Sequence, residues 1–172
     1  MTGTWILVAD SARARLFSLG DGAARLEEVG DFINAAARTP GHELESAPPA
    51  RVHDRFGEGR HAIDARTPPK DKVAARFAGE LKSELERGHA EQRYDELVLI
   101  APPRFLGMLN AALGEHLHGS VVLKIAKNLT RKNAETIRAE LPRSLFRRRI
   151  TNGPGSLANT VLTAAGKSET TT

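Results

Sequence analysis

The sequence has no cysteine, which excludes disulfides and thiolate metal sites and suits a reducing compartment. Aromatic residues make up only 5%, so the core must be built mainly from Leu, Val, Ile and Ala. Long hydrophobic runs are missing as well. The apolar run near the N-terminus, residues 5–9 (WILVA), has no basic segment before it and is far too short for a signal sequence or a membrane span. A cytoplasmic protein without membrane insertion is expected. No nucleophile elbow, Walker loop or dinucleotide fingerprint is present, and Gly57-x-Gly59 alone is weak. Neither a metal nor another cofactor is implied.

What remains is an ordinary globular composition. The 172 residues are 40% hydrophobic and 27% charged, enough for one domain and short for two. The net charge of +4 is unevenly spread. Residues 1–101 carry 14 Lys and Arg against 17 Asp and Glu, a net of −3, whereas residues 102–150 carry 10 against 3, a net of +7. A basic half beside a near-neutral one is a common footprint of a polyanionic partner. Solvated outer faces of helices would carry the same residues.

Residues 5–10 read as a buried strand. A second follows through a tight turn near Ser11, with Ala14, Leu16 and Ser18 alternating against Arg13, Arg15 and Phe17. After the Gly20-Asp21-Gly22 turn signal comes a weaker third strand, so the chain opens as a β-meander. From 35 to 69 no period survives, and so long a connection inside a compact domain is usually functional or disordered. Pro68-Pro69 ends it and starts a helix over 70–90, where Val73, Phe77, Leu81 and Leu85 recur every four positions beside Ala74 and Ala78. Residues 96–101 form the clearest buried strand. They run into a Pro-started helix over 103–113, with Phe105, Leu106, Leu109, Ala112 and Leu113 inward. A further strand lies in "SVVLKIAKN", and Thr130 is placed to cap a helix over 131–141 that Pro142 stops. This order predicts a single α/β domain over 1–150 with a mixed sheet flanked by helices, and a flexible tail over 151–172.

A metal-dependent nuclease needs carboxylates converging on strand ends. Asp10 ends one strand and Asp95 and Glu96 start another, but no spacing forces them together, and Asp10 reads as a turn residue. Of the six histidines only His116-Leu117-His118 is closely spaced; on a strand both would face one way, and with no further ligand nearby the pair reads as a surface feature. The basic segment says more. Lys124, Lys127, Arg131, Lys132, Arg138, Arg143, Arg147, Arg148 and Arg149 have only Glu135 and Glu140 as acids among them. Such a density neutralises phosphates with little sequence preference, and the scarcity of aromatics speaks against base stacking. The implied target is the backbone of a structured nucleic acid.

Three stretches in this order, "WILVADSARARLF", "GEGRHAIDARTPPKDKVAARFAGEL" and "LVLIAPPRFLGMLNAAL…VVLKIAKNLT", resemble the bacterial host attachment protein family over about residues 4–145. That family looks like a bacterial relative of the middle domain of archaeal and eukaryotic peptide-chain release factors and of the ribosome-rescue factor Pelota. The resemblance implies a ribonuclease-H-like fold. In release factors a Gly-Gly-Gln loop precedes a long amphipathic helix and places the water that attacks peptidyl-tRNA. The matching position here reads Gly57-Glu58-Gly59-Arg60-His61, without a Gly-Gly pair or a glutamine; the one glutamine in the chain is Gln92.

The leading expectation is therefore a non-enzymatic factor associated with rRNA, tRNA or the ribosome, touching phosphates through Arg51, Arg55, Arg60 and Arg66 of the loop and through the basic segment 124–149. An attachment-related interaction protein with a protein or envelope partner is the alternative. A residual peptidyl-tRNA or ester hydrolase would use His61 with Asp64 or Glu58.

Overall fold

The structure, a computed structural model, describes residues 3–19, 25–38, 67–147 and 160–162. Strands β1 (Thr4–Ala9), β2 (Arg13–Leu19) and β3 (Glu27–Ile33) form an antiparallel meander, followed by a 3-10 turn at Ala35–Arg38. Helix α1 (Pro69–Ala90) leads to β4 (Glu96–Ile100), and α2 (Pro103–Ala112) and α3 (Glu115–Ser120) lead to β5 (Val121–Ile125). Helices α4 (Ala134–Glu140) and α5 (Arg143–Arg147) precede the last strand, β6 (Thr160–Leu162). The six strands run in the order β3-β2-β1-β4-β5-β6, with β1, β4, β5 and β6 parallel. This is the mixed α/β sheet flanked by helices that the sequence predicts.

Every residue of β1 is buried, as a central strand covered on both faces requires. The two-residue period divides its side chains between two cores. Trp5, Leu7 and Ala9 join Leu97, Leu99 and Ala101 under α1 and α2, which contribute Phe77, Leu81, Leu85, Phe105 and Leu109. Ile6 and Val8 join Val98, Ile100, Leu123 and Ile125 on the other face, beneath Ile137 of α4, Leu141 at its C-cap, and Leu145 of α5.

Helix α1 begins as its sequence indicates, with Pro68 at the N-cap and Pro69 in the first turn, where a missing N–H costs nothing. Its far end is locked to β1. Gly88 lies so close to Trp5 that an added Cβ would come within 2.2 Å of the indole. Trp5 in turn stacks on Tyr94 at 4.6 Å, and the Tyr94 hydroxyl donates to the Leu85 carbonyl (2.7 Å). Burial pushes the pKa of this phenol well above its usual range, and Glu86 adds to the shift.

Several expectations are corrected. Phe17, placed with the arginines on the outer face of β2, is fully buried, because that face too is covered. The region 35–69 is not without structure at its start, since Ala35–Arg38 turns against α1. His116 and His118 lie on the six-residue α3 rather than a strand, so only Leu117 between them points into the core. Thr130 does not cap a helix: α4 starts later, and the Asn133 side chain accepts from the Thr136 N–H (2.8 Å). Of the expected tail over 151–172 only Thr160–Leu162 is described; it forms β6, a parallel edge beside β5, and the expectation for the rest lies outside the described residues.

Candidate nucleic-acid interface

The described basic segment lies mostly on the α4/α5 side of the sheet, while Lys124 turns to the other face. It runs from β5 through a short connection into α4 and α5, which seal the second core from outside. Not all of its charges are available. Lys124 donates to the Asn110 side chain, and Lys127 is paired with Glu140 at 2.6 Å. Arg131, Lys132, Arg138 and Arg143 are exposed, and among the described residues none has an acidic partner. The guanidinium of Arg138 lies over the Phe146 ring at 4.9 Å, which holds it by cation–π attraction while leaving it wet. Arg147 belongs to α5, whereas Arg148 and Arg149 lie outside the described residues.

The connection bearing Arg131 and Lys132 is braced from β2. Arg15 rests over Phe17 at 4.9 Å and donates to the Lys132 carbonyl (2.6 Å) and to Glu28, an ion pair at 2.7 Å. That hydrogen bond and the charge of Arg15 hold the Glu28 carboxyl below its usual range despite some desolvation. Arg13 and Asp31 repeat the cross-strand pairing at 2.6 Å. The arginines of β2 are thus ion-paired, whereas Arg131, Arg138 and Arg143 have no acidic partner among the described residues.

A second feature, which sequence reasoning did not single out, lies where the parallel strands end. A cleft of about 400 Å³ is lined by Asp10 beyond β1, Lys70, Asp71, Arg104, Phe105 and Asn128, among others. Crevices outside the carboxyl ends of parallel strands are where α/β folds commonly take ligands. Its two carboxylates are nevertheless matched. Arg104 pairs with Asp71, and Asp10 accepts at Oδ1 from the Ala12 and Arg13 N–H groups (2.8 and 2.9 Å). At Oδ2 it accepts from the Thr130 hydroxyl (2.7 Å) and the Asn128 amide (3.3 Å). Burial alone would raise the Asp10 pKa, but these hydrogen bonds, led by Thr130, hold it below the ordinary value. Asp10 is the turn residue that its position indicates, and also a tie across the sheet. Its only sequence signals are its place at a strand end and the twin Pro-Pro-basic helix starts at 68–70 and 102–104.

Asp95 and Glu96 do not join it. Thr4 pairs with Glu96 in register, so they stand at the opposite strand ends, about 20 Å away at the usual rise per residue. Among the described residues no cluster of His, Asp or Glu could hold a metal ion. Gln92 has a positive φ of 56° just after α1, whose 22 residues span about 33 Å at the helical rise, so it stands at the end of the helix away from Pro69. The loop arginines Arg51, Arg55, Arg60 and Arg66, and the candidate hydrolytic residues Glu58, His61 and Asp64, lie outside the described residues. Among the described residues, no helix is long and apolar enough to cross a membrane.

No curated protein matches the sequence. Among solved structures the chain is similar to a crystal structure of an archaeal translation termination factor, at 12% identity and a TM-score of 0.43. The likeness covers 85% of this chain but 37% of that one, so the chain corresponds to well under half of that factor's length. Residues 5–141, from β1 to just past α4, match the family model described as "Protein required for attachment to host cells", and the chain belongs to that family.

Proposed function

We propose that this protein is a cytoplasmic, non-enzymatic RNA- or ribosome-associated factor, and that the layer formed by α4, α5 and the connection before them is its contact surface. One observation carries the reading: Arg131, Lys132, Arg138 and Arg143 are exposed on that layer without acidic partners among the described residues, while the arginines of β2 are paired. Cations left unpaired in this way neutralise phosphates and release counterions, giving affinity that falls steeply with salt. The scarcity of aromatics in the segment favours the backbone of folded rRNA or tRNA over stacked single strands. The basic loop residues around Gly57 and Gly59 would add contacts, and a loop with Glu58 in place of the Gly-Gly-Gln pattern fits binding better than hydrolysis. Sedimentation of the purified chain with ribosomes tests the reading: the protein should travel with them at low salt and return to the top of the gradient at high salt. Remaining at the top even at low salt overturns it.

The family's description favours a second reading, an attachment-related interaction protein with a protein or envelope partner. A deletion strain that loses surface attachment with an unchanged ribosome profile would favour it over the first.

A further inference from the structure

Beside the basic layer lies a cleft of about 650 Å³, lined by Arg25, Leu26, Asn133, Ala134, Glu135 and Arg138. Its walls come from two distant parts of the chain, the approach to β3 and the start of α4. Arg25 and Arg138 are exposed, and among the described residues neither is ion-paired. Leu26 is buried in the second core and gives the cleft an apolar lining. Asn133 uses its side-chain oxygen to cap α4, which leaves its amide hydrogens to donate. Glu135 is exposed and adds a carboxylate, an acceptor.

We propose that this cleft seats one nucleotide of an RNA strand, with its phosphate between Arg25 and Arg138, its sugar against Leu26 and Ala134, and its ribose hydroxyl donating to Glu135. The inference rests on the proposed function and deepens it by giving the strand an entry point. The volume lies within the range of small-molecule seats. Two arginines contributed by separate segments of the chain meet phosphate with their planar donor forks. Glu135 decides the class of ligand. A carboxylate repels a bare phosphate and is satisfied by a hydroxyl donor, which RNA carries at the 2′ position and DNA lacks. An acidic peptide side chain is acceptor-only and would set a second anion against Glu135. Arg138 belongs to the cleft and to the basic layer at once, so a strand lying on Arg131 and Lys132 runs on into the seat.

The test is fluorescence anisotropy of a labelled RNA hairpin, and of a DNA hairpin of the same sequence, with the full chain at low salt. Arg25→Glu should weaken RNA binding by about tenfold, the loss that one phosphate-directed arginine typically carries when its charge is reversed, and Arg25→Gln by less. Glu135→Gln should reduce the preference for RNA over DNA without loss of DNA binding. Arg76→Glu, exposed on α1 and not ion-paired among the described residues, serves as the control that should change nothing. If Arg25→Glu binds as the wild type does while Arg131→Glu with Lys132→Glu is weakened, the seat is refuted and the basic-layer reading stands. If the wild-type chain binds neither hairpin, that reading fails and the seat with it. Displacement of the RNA by polyglutamate at matched charge would point to an acidic protein and overturn the proposal.

Discussion

On one face of the sheet lies a 22-residue helix, α1, whose apolar stripe meets β1 and β4 along its length; on the other lie α4 and α5, of seven and five residues. Helices that short are marginal alone and depend on Ile137, Leu141 and Leu145 packing against the sheet. Their outer sides carry Arg138 and Arg143, which no described carboxylate pairs. Stability therefore concentrates on the α1 face and binding capacity on the α4 face. A face that must present unpaired charge gains little from self-attraction, so separating the two roles lets the charged layer remain exposed without weakening the main core.

The largest expected effect tests this division directly. Leu81→Ala removes a fully buried side chain from the middle of α1 and should cost about 3–4 kcal/mol in urea unfolding. Ile137→Ala, equally buried, should cost about 2 kcal/mol, because the short α4 can settle toward the cavity. Equal losses would break the contrast. Hydrogen exchange in α4 should also be faster than in α1.

Gly88→Ala comes next. The new Cβ cannot avoid Trp5, and Trp5 is pinned by its stack on Tyr94, so α1 must lift at that end. A loss of about 2 kcal/mol with a changed tryptophan emission is expected. An unchanged midpoint would mean that the α1 face is looser than its packing indicates.

On the opposite face the double charge reversal Arg131→Glu with Lys132→Glu should weaken RNA binding by about tenfold, equivalent to about 1.4 kcal/mol. The free energy of unfolding should stay within about 0.5 kcal/mol, since both side chains are exposed. Loss of stability without loss of binding would invert the comparison.

The pattern of residues made the α1 face legible. The four-residue recurrence from Phe77 to Leu85, the proline pair before it and the apolar runs of β1 and β4 are local signals, and the structure follows them closely. The other face was only partly legible, because its order depends on partners far away in sequence. Phe17 alternates correctly, but nothing near it announces that α4 and α5 will cover its side of β2. Three residues are too few for β6 to show a period. In the candidate interface the basic character could be read from composition, whereas the division into spent and free cations could not. Lys127 is taken by Glu140, 13 residues on, and Arg25 reaches the cleft only through the fold.

The smallest effect tests the seam between the two faces. Asp10, at the end of β1, accepts from Thr130, 120 residues away, and so ties the central strand to the connection that carries Arg131 and Lys132. Asp10→Asn keeps one acceptor oxygen but sets an amide against the Asn128 amide; a loss of about 1 kcal/mol at neutral pH follows, modest because the site is partly exposed. The sign with pH is fixed by the direction of the shift. The folded-state pKa is depressed, so the carboxylate's contribution is present above the unfolded value near 3.8 and is lost as pH falls through the lower folded value. Urea unfolding of the wild type and Asp10→Asn at pH 7 and at pH 3 and below should therefore show the gap between them narrowing in acid. Glu28 and Asp31 are depressed in both proteins and cancel from the difference. A gap that stays constant into acid would show that the tie works through shape alone. A gap that closes would show that the negative charge at the end of β1 helps to hold the basic connection in place.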